Sequence, residues 1–382
     1  MHIVYILSED ISKVSGVVKK IETQTKYWTS AGHKVDIVSL KSDTLTSIIK
    51  NGVILSEYIK EKNLKKKIQR RLTISKKLDR YLFSKKPDVI YLRYMIGMPD
   101  IVKVLKKYAP FFVEINSNDV EESKIYKKSL YLLNILTRNY LLKNASALIS
   151  VSNELMNNKI FSKFHKKFIV IGNGYDFGTI RKKKLFFNNK PKLIFIGSPY
   201  QIWHGVDKIL ILASKLKDYE FNIVGISHLE LQSYGEVPDN IILHGYCDSV
   251  YLDKLIPQCD IGISTLALHR KNMCEASPLK SREYLAYGLP IILGYKDTDL
   301  QENLKFVLNI GNYENNVFDN IKNIEIFIRS CIHMSPAEII DNSKKYLDYE
   351  EKEKLRLNFL EQMLLTISIK NNFQQHKKKE LL

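Results

Sequence analysis

Short apolar runs, each followed by a polar loop and a helix-length segment, recur along most of this chain. The amino end reads Met1-His-Ile-Val-Tyr-Ile-Leu7, then the small-residue loop Ser15-Gly16-Val-Val, then a helical stretch closing at Ala31-Gly32-His33, then Val35-Asp-Ile-Val-Ser-Leu40. Runs of this length bounded by turn residues read as buried strands, and helix-length spacers between them read as parallel βαβ units. Further runs at Val89-Ile-Tyr-Leu-Arg93, Phe111-Phe-Val-Glu114-Ile-Asn116 and Ala147-Leu-Ile-Ser-Val-Ser152 end in polar residues. In an open parallel sheet such residues face the ligand crevice past the carboxyl ends of the strands.

After Phe168-Ile-Val-Ile-Gly-Asn173-Gly174-Tyr-Asp176 and a polar basic stretch, a second series begins at Lys192-Leu-Ile-Phe-Ile-Gly197. It continues through Phe221-Asn-Ile-Val-Gly225, Ile241-Ile-Leu-His-Gly245, Asp260-Ile-Gly-Ile-Ser264 and Pro290-Ile-Ile-Leu-Gly294. Two series predict two α/β domains, each with a parallel sheet, over residues 1–175 and 190–345, and 382 residues suffice for two such cores. A last helix over 346–370 places Leu355, Phe359, Met363 and Ile367 on one stripe, and a disordered tail is expected over 371–382.

The densest chemistry lies in Glu275-Ala-Ser-Pro-Leu-Lys-Ser-Arg-Glu283 and the Tyr-Leu-Ala-Tyr-Gly288-Leu-Pro290 that follows. Ser277 suits a helix N-cap and Pro278 the first position, while Gly288 and Pro290 give the stop, so a helix is expected from about 278 to 287. Its unpaired N–H groups and positive dipole end make a seat for an anion such as a diphosphate. Lys280, Glu283 and Tyr287 share one face by their spacing. Carboxylates accept hydrogen bonds from diols, so Glu275 suits a sugar and Glu283 a ribose.

The Glu-x7-Glu pair with its Gly-Leu-Pro, the order of the two βαβ series and the Asn-Gly-x-Asp sequence resemble the retaining glycosyltransferases of the GT-B fold, family 4. The resemblance covers nearly the whole chain and is most specific over 241–294. It implies two Rossmann-like domains facing a central cleft, with a carboxy-terminal helix crossing back to the first. It also implies a nucleoside-diphosphate sugar as donor, held by the second domain. The catalytic candidates are Glu275, Lys280 and His204. The donor-binding candidates are Glu283, Ser277, Leu279, Gly197, Ser198, Arg270 and Lys271. The acceptor-side candidates are Gly16, Arg93, Glu114 and Asn116.

Departures from the family accompany these matches. Many members carry an Arg after the glycine that ends the first strand of the second domain and a Lys before a later glycine; here Ser198 and His204 stand there, in Gly197-Ser198-Pro-Tyr-Gln-Ile-Trp203-His204-Gly205. Glu114-Ile-Asn116 stands where many members have a His-Asp pair. Asp297-Thr-Asp299 looks like a metal-binding Asp-x-Asp, but its place after a second-domain strand reads as a surface loop, and no metal is expected.

Composition narrows the setting. With 45% hydrophobic and 26% charged residues the chain is of ordinary globular composition. No apolar run approaches the ~20 residues of a membrane span, and Met1-His-Ile-Val lacks a basic leader, which predicts a cytoplasmic protein. Cys247, Cys259, Cys274 and Cys331 lack metal spacing and read as reduced thiols, with Cys274 near the site by neighbourhood alone. The net charge is +18, and from Glu57 to Lys86 twelve Lys or Arg face three acids. Leu64, Ile68, Leu72, Leu78 and Leu82 recur there at roughly helical spacing, as in a basic amphipathic helix. A domain helix with solvated lysines and docking on an anionic membrane surface, at the inner face of the cytoplasmic membrane, are both open readings. Nucleic-acid binding is disfavoured because no recognition motif accompanies the charge.

The expectation is thus a glycosyltransferase acting on a hydroxyl of a lipid-linked or polysaccharide acceptor with retention of configuration. The setting suggested is bacterial surface-glycan assembly: capsule, lipopolysaccharide O-antigen or exopolysaccharide. A nucleotide-sugar epimerase of the same fold and a non-catalytic membrane- or glycan-binding partner subunit are the alternatives.

Overall fold

A computed structural model describes residues 1–60, 63–96, 99–179 and 190–380. Glu61 and Lys62 of the basic segment and most of the stretch after Asp176 lie outside them. The chain divides into two compact units: Met1–Ile171 with the chain from Glu350 on, and Gly172–Tyr349.

The first unit is built on β1 (His2–Leu7), β2 (Lys34–Ser39), β3 (Gly52–Ile54), β4 (Val89–Arg93), β5 (Phe111–Ile115), β6 (Ala147–Ser150) and β7 (Phe168–Val170). All pair in parallel, in the order β3-β2-β1-β4-β5-β6-β7. The order reverses between β1 and β4, which puts the crevice of this sheet past Leu7 and Arg93. Five helices matter here: α1 (Gly16–Ser30), α2 (Leu64–Lys85), α3 (Pro99–Tyr108), α4 (Asp119–Tyr126) and α5 (Lys128–Asn144). Ser15 starts α1, its hydroxyl accepting from the Val18 amide at 3.2 Å, and α1 brings Trp28 against Tyr5 and Tyr91 in the core. Each fully buried Leu, Ile or Phe contributes roughly 1.5–3 kcal/mol.

A long carboxy-terminal helix, Tyr349–Glu380, supplies Leu357 and Leu360 to the same core. Of the stripe expected from sequence, Phe359 and Met363 pack on this core, whereas Leu355 is 55% exposed. The helix also turns Glu353 and Arg356 inward: Trp28 Nε1 donates to Glu353 Oε2 at 2.9 Å and Arg356 Nη1 donates to the Tyr91 hydroxyl at 2.8 Å. It also runs on to Glu380 rather than ending near Lys370, because the Gln- and Lys-rich sequence there still favours helix.

The second unit holds β8 (Lys192–Ile196), β9 (Glu220–Val224), β10 (Ile241–Gly245), β11 (Ile261–Ile263), β13 (Ile291–Leu293) and β15 (Val307–Asn309) in one parallel sheet, ordered β10-β9-β8-β11-β13-β15. A two-stranded parallel ribbon joins β12 (Glu275–Ala276) to β14 (Lys296–Asp297). The switch point lies between β8 and β11, past Gly197 and Ser264. Both units are therefore Rossmann-like, as the two apolar series predict. Among the described residues no helix is long and apolar enough to cross a membrane.

Candidate functional site

The helix Leu279–Ala286 lies at the switch point of the second sheet, and Gly288 ends it at φ +75. Its N-cap position falls on Pro278, with no side-chain cap. Ser277, expected to cap, is engaged elsewhere: its hydroxyl accepts from the Asn173 amide at 2.6 Å, and its carbonyl accepts from the Asn173 side chain. The first amides of the helix are thus left without a capping oxygen, which suits an anion.

Glu275 is buried on β12, before this helix, and Glu283 is partly buried one turn into it. Between them Lys280 turns inward. Among the described residues its ammonium nitrogen has no hydrogen-bond partner, and it sits 4.0 Å from the centre of the Phe195 ring. Burial pushes this ammonium well below the ordinary lysine range. Phe195 in turn packs edge-on against His204, at 5.6 Å between ring centres. His204 is buried, with Nδ1 lacking a partner. Burial, then the charges of Lys280 and Lys271, hold the imidazole well below its usual range, so it is neutral at pH 7. His204 therefore brings a hydrogen-bonding group and no charge to the position where the resembled family carries Lys.

Gly197 lies against the same cluster; a Cβ there would stand 2.6 Å from Phe195 and 3.1 Å from His204 Nδ1. Ser198 is exposed in the loop after β8, and Leu279 is partly buried at the first turn of the helix. Lys271 stacks over Trp203 at 4.5 Å. Arg270 differs from expectation. It grips Asp207 at 2.8 and 2.7 Å, donates to the Ile202 carbonyl at 3.1 Å and pairs with Glu314. That charge ties the Leu268–Lys271 turn to its own unit.

Asp297 and Asp299 are not a surface loop. Asp297 is buried and held on two sides by the buried guanidinium of Arg282, which also reaches Asp299 at 2.7 Å and the Asn173 carbonyl at 3.1 Å. Sequence reading passed over Arg282. Its signal was an arginine beside Tyr284, Leu285 and Ala286 on an otherwise apolar face. It also missed the buried hydroxyl ring of Ser264, Ser281 and Tyr295, closed by contacts of 2.6, 3.0 and 2.8 Å past β11.

In the first unit, Gly16 is exposed at the start of α1. Glu114, expected to meet an acceptor, is fully buried. Lys20 donates to it at 2.7 Å and the Tyr5 hydroxyl at 3.1 Å, with Arg93 at 3.4 Å and Arg356 at 3.7 Å. Burial alone would raise this carboxyl; Lys20, Arg356 and Arg93 overcome it and hold the group well below the carboxylate range. Arg93 is shared between Glu114 and Glu9. Asn116 accepts from Lys20 at 3.3 Å, and its amide nitrogen is shielded without a partner. Glu114 and Arg93 are thus engaged in a buried charge network, and Asn116 is tied to it through Lys20.

Over nearly its full length the chain superposes on solved glycosyltransferases. Sucrose-phosphate synthase from Thermosynechococcus elongatus matches with a TM-score of 0.73 at 15% identity, over 96% of this chain and 99% of that one. The fold is GT-B. The HepE protein of Anabaena, solved with UDP and glucose, matches this GT-B chain at a TM-score of 0.65 and 12% identity, over 94% and 99%. The lipopolysaccharide outer core galactosyltransferase WaaB matches it at 0.63 and 14%, over 92% and 98%. No protein-family model and no curated protein matches the sequence.

Proposed function

We propose that this protein is a glycosyltransferase that moves a sugar from a nucleoside diphosphate to a hydroxyl of a lipid-linked or polysaccharide acceptor, with retention of configuration. The observation that carries this reading is the Lys280 ammonium, buried without a hydrogen-bond partner among the described residues, at an uncapped helix start flanked by Glu275 and Glu283. A buried cation with no counterion is costly, and a diphosphate seated on the helix amides would supply one. Glu283 would hold the ribose hydroxyls and Glu275 would orient the transferred sugar. As the glycosidic C–O bond breaks, charge grows on the departing diphosphate, and Lys280 with the helix dipole would stabilise it. Neutral His204 would add a single hydrogen bond in place of a charge.

The reaction needs no metal in this reading, since Asp297 and Asp299 are engaged by Arg282 and the positive charge comes from Lys280. The solved relatives lend support in kind: HepE was solved with UDP and glucose, and WaaB acts on lipopolysaccharide outer core. A role in bacterial surface-glycan assembly follows on the same footing.

Attachment to the inner face of the cytoplasmic membrane through the basic 60–86 segment belongs to this proposal. Lys65, Lys66 and Lys67 are exposed on α2, and Lys60, Lys67, Arg70 and Lys127 line a groove of about 600 Å³. Arg71 pairs with Asp100 at 2.6 Å and Arg70 donates to the Ser56 hydroxyl at 3.2 Å, so the exposed lysines are the groups left for headgroups.

Calorimetry with UDP and other nucleoside diphosphates, followed by turnover of the matching nucleotide sugar with and without a lipid-linked glycan, tests the proposal. Binding that Lys280→Met abolishes, with transfer that depends on acceptor, is expected. Sugar isomerisation without acceptor would instead make it an epimerase, and no nucleotide binding at all would remove the enzymatic reading.

A further inference from the structure

Helix α5 buries Leu141 and Leu142 at its carboxyl end, but ahead of them it carries polar residues inward and apolar ones outward. Asn134 and Arg138 are buried, whereas Leu132, Leu133 and Ile135 are exposed and Leu136 is 78% exposed. The rotation is enforced. Arg138 Nε and Nη2 donate to the two oxygens of buried Asp119 at 2.8 and 2.9 Å, and Asn134 Nδ2 donates to Asp119 Oδ2 at 2.7 Å. The Tyr94 hydroxyl lies 2.7 Å from both Asp119 and Asn134, and Arg138 also reaches the Ile160 carbonyl at 3.0 Å. Turning the leucines in would break a bidentate buried ion pair and leave Asp119 unpaired, which the fold opposes.

The apolar face does not stand alone. Lys127, the residue before α5, lines the basic groove with Lys60, Lys67 and Arg70 of the α2 region, and exposed Tyr58 and Ile59 line that groove too. On α2 itself Ile68 and Leu72 point outward while Ile74, Leu78 and Leu82 are buried. Leucines, isoleucines and an aromatic ring thus lie beside clustered lysines, the composition of an interfacial membrane element. At 17 residues α5 is about 25 Å long, and inward-facing Asn134 and Arg138 keep it from crossing a bilayer. A second copy fits this face poorly, because each chain carries +18 and would bring like-charged grooves together.

We propose that α5 is a membrane-insertion element: Leu132, Leu133, Ile135 and Leu136 enter the acyl boundary of an anionic bilayer while the groove beside Lys127 takes the lipid headgroups. This rests on the membrane attachment proposed for the basic segment, and adds insertion through a different helix.

Full-length Leu136→Trp protein, mixed with phosphatidylcholine vesicles with or without phosphatidylglycerol, reports insertion. Native Trp28 and Trp203 are buried and give a constant background. The introduced indole should shift to the blue and be quenched by brominated lipid on anionic vesicles. A Leu132→Gln, Leu133→Gln, Leu136→Gln variant should bind them at least about tenfold more weakly with unchanged circular dichroism. Lys65→Gln, Lys66→Gln, Lys67→Gln separates the two ideas. Quenching that survives this change, with binding unaltered, keeps insertion and removes the electrostatic attachment. An unquenched indole on vesicles that bind the protein overturns insertion and leaves attachment standing. A wild-type dimer that the glutamine variant converts to monomer, without vesicle binding, assigns the face to a second copy and also overturns the proposal.

Discussion

The ammonium of Lys280 lies 4.0 Å from the centre of the Phe195 ring and finds no hydrogen-bond acceptor among the described residues. Because burial holds its pKa below the ordinary value of 10.5, the unfolded chain binds more protons than the folded one between the two values. Stability of the unliganded protein therefore rises with pH through that window and levels off near 10.5. Lys280→Met should flatten this rise and stabilise the fold at pH 7 by about 1–3 kcal/mol. That amounts to a few degrees in the melting temperature. The same variant should lose nucleotide affinity by roughly ten- to a hundredfold, the worth of a charge-assisted hydrogen bond. Calorimetry beside thermal melts over pH 6–10 checks both; a less stable variant with full affinity would mean Lys280 is a packing residue.

The two glutamates should separate in kinetics. Glu283→Ala is expected to weaken binding of the nucleoside diphosphate itself, and Glu275→Ala to spare that binding while lowering kcat. Titration with the diphosphate and initial rates with the sugar donor distinguish them; equal effects on both would show that the pair acts as one structural unit.

Arg282 neutralises Asp297 and Asp299 in the interior, so removing it leaves buried charge without a partner. Arg282→Met should cost about 3–5 kcal/mol, and adding Asp297→Asn should recover part of the loss. Transfer should persist in excess chelator. Activity that chelator abolishes and magnesium restores would return a metal to the mechanism.

Glu114 is held ionised by Lys20, Arg356 and Arg93 against the cost of its burial. A carboxyl with a depressed pKa stabilises the fold above its unfolded value near 4.5, and that contribution fades as pH falls toward the folded value. Glu114→Gln should remove it at pH 7 and leave a flatter acid limb in denaturant titrations. Because Arg356 lies on the carboxy-terminal helix, Arg356→Met should loosen that helix, read as faster amide exchange over 353–360. An unchanged acid limb in Glu114→Gln would show that other carboxyls govern acid unfolding.

The sequence alone determined the central strands of both sheets and their grouping, though not the edge strands β3 and β15 or the β12–β14 ribbon. Parallel strands buried on both faces must be continuous apolar runs, and such runs are visible without a structure. It also located the Glu275 to Glu283 segment, because Gly288 and Pro290 punctuate a helix whatever surrounds it. Tertiary structure decided which way helices face and which charges are spent. Leu355 reads as a core residue by spacing, yet Glu353 and Arg356 take inward positions beside it, as Asn134 and Arg138 do on α5, since Trp28, Tyr91 and Asp119 offer them partners. Arg270 and Glu114 read as ligand groups until Asp207, Glu314, Lys20 and Arg93 are seen around them. Lys280 gains its character by the opposite route, lying against the Phe195 ring with no hydrogen-bond acceptor among the described residues. Periodicity records which residues are apolar; whether a buried charge is paired depends on residues brought near from elsewhere in the chain, and only folding assembles those neighbours.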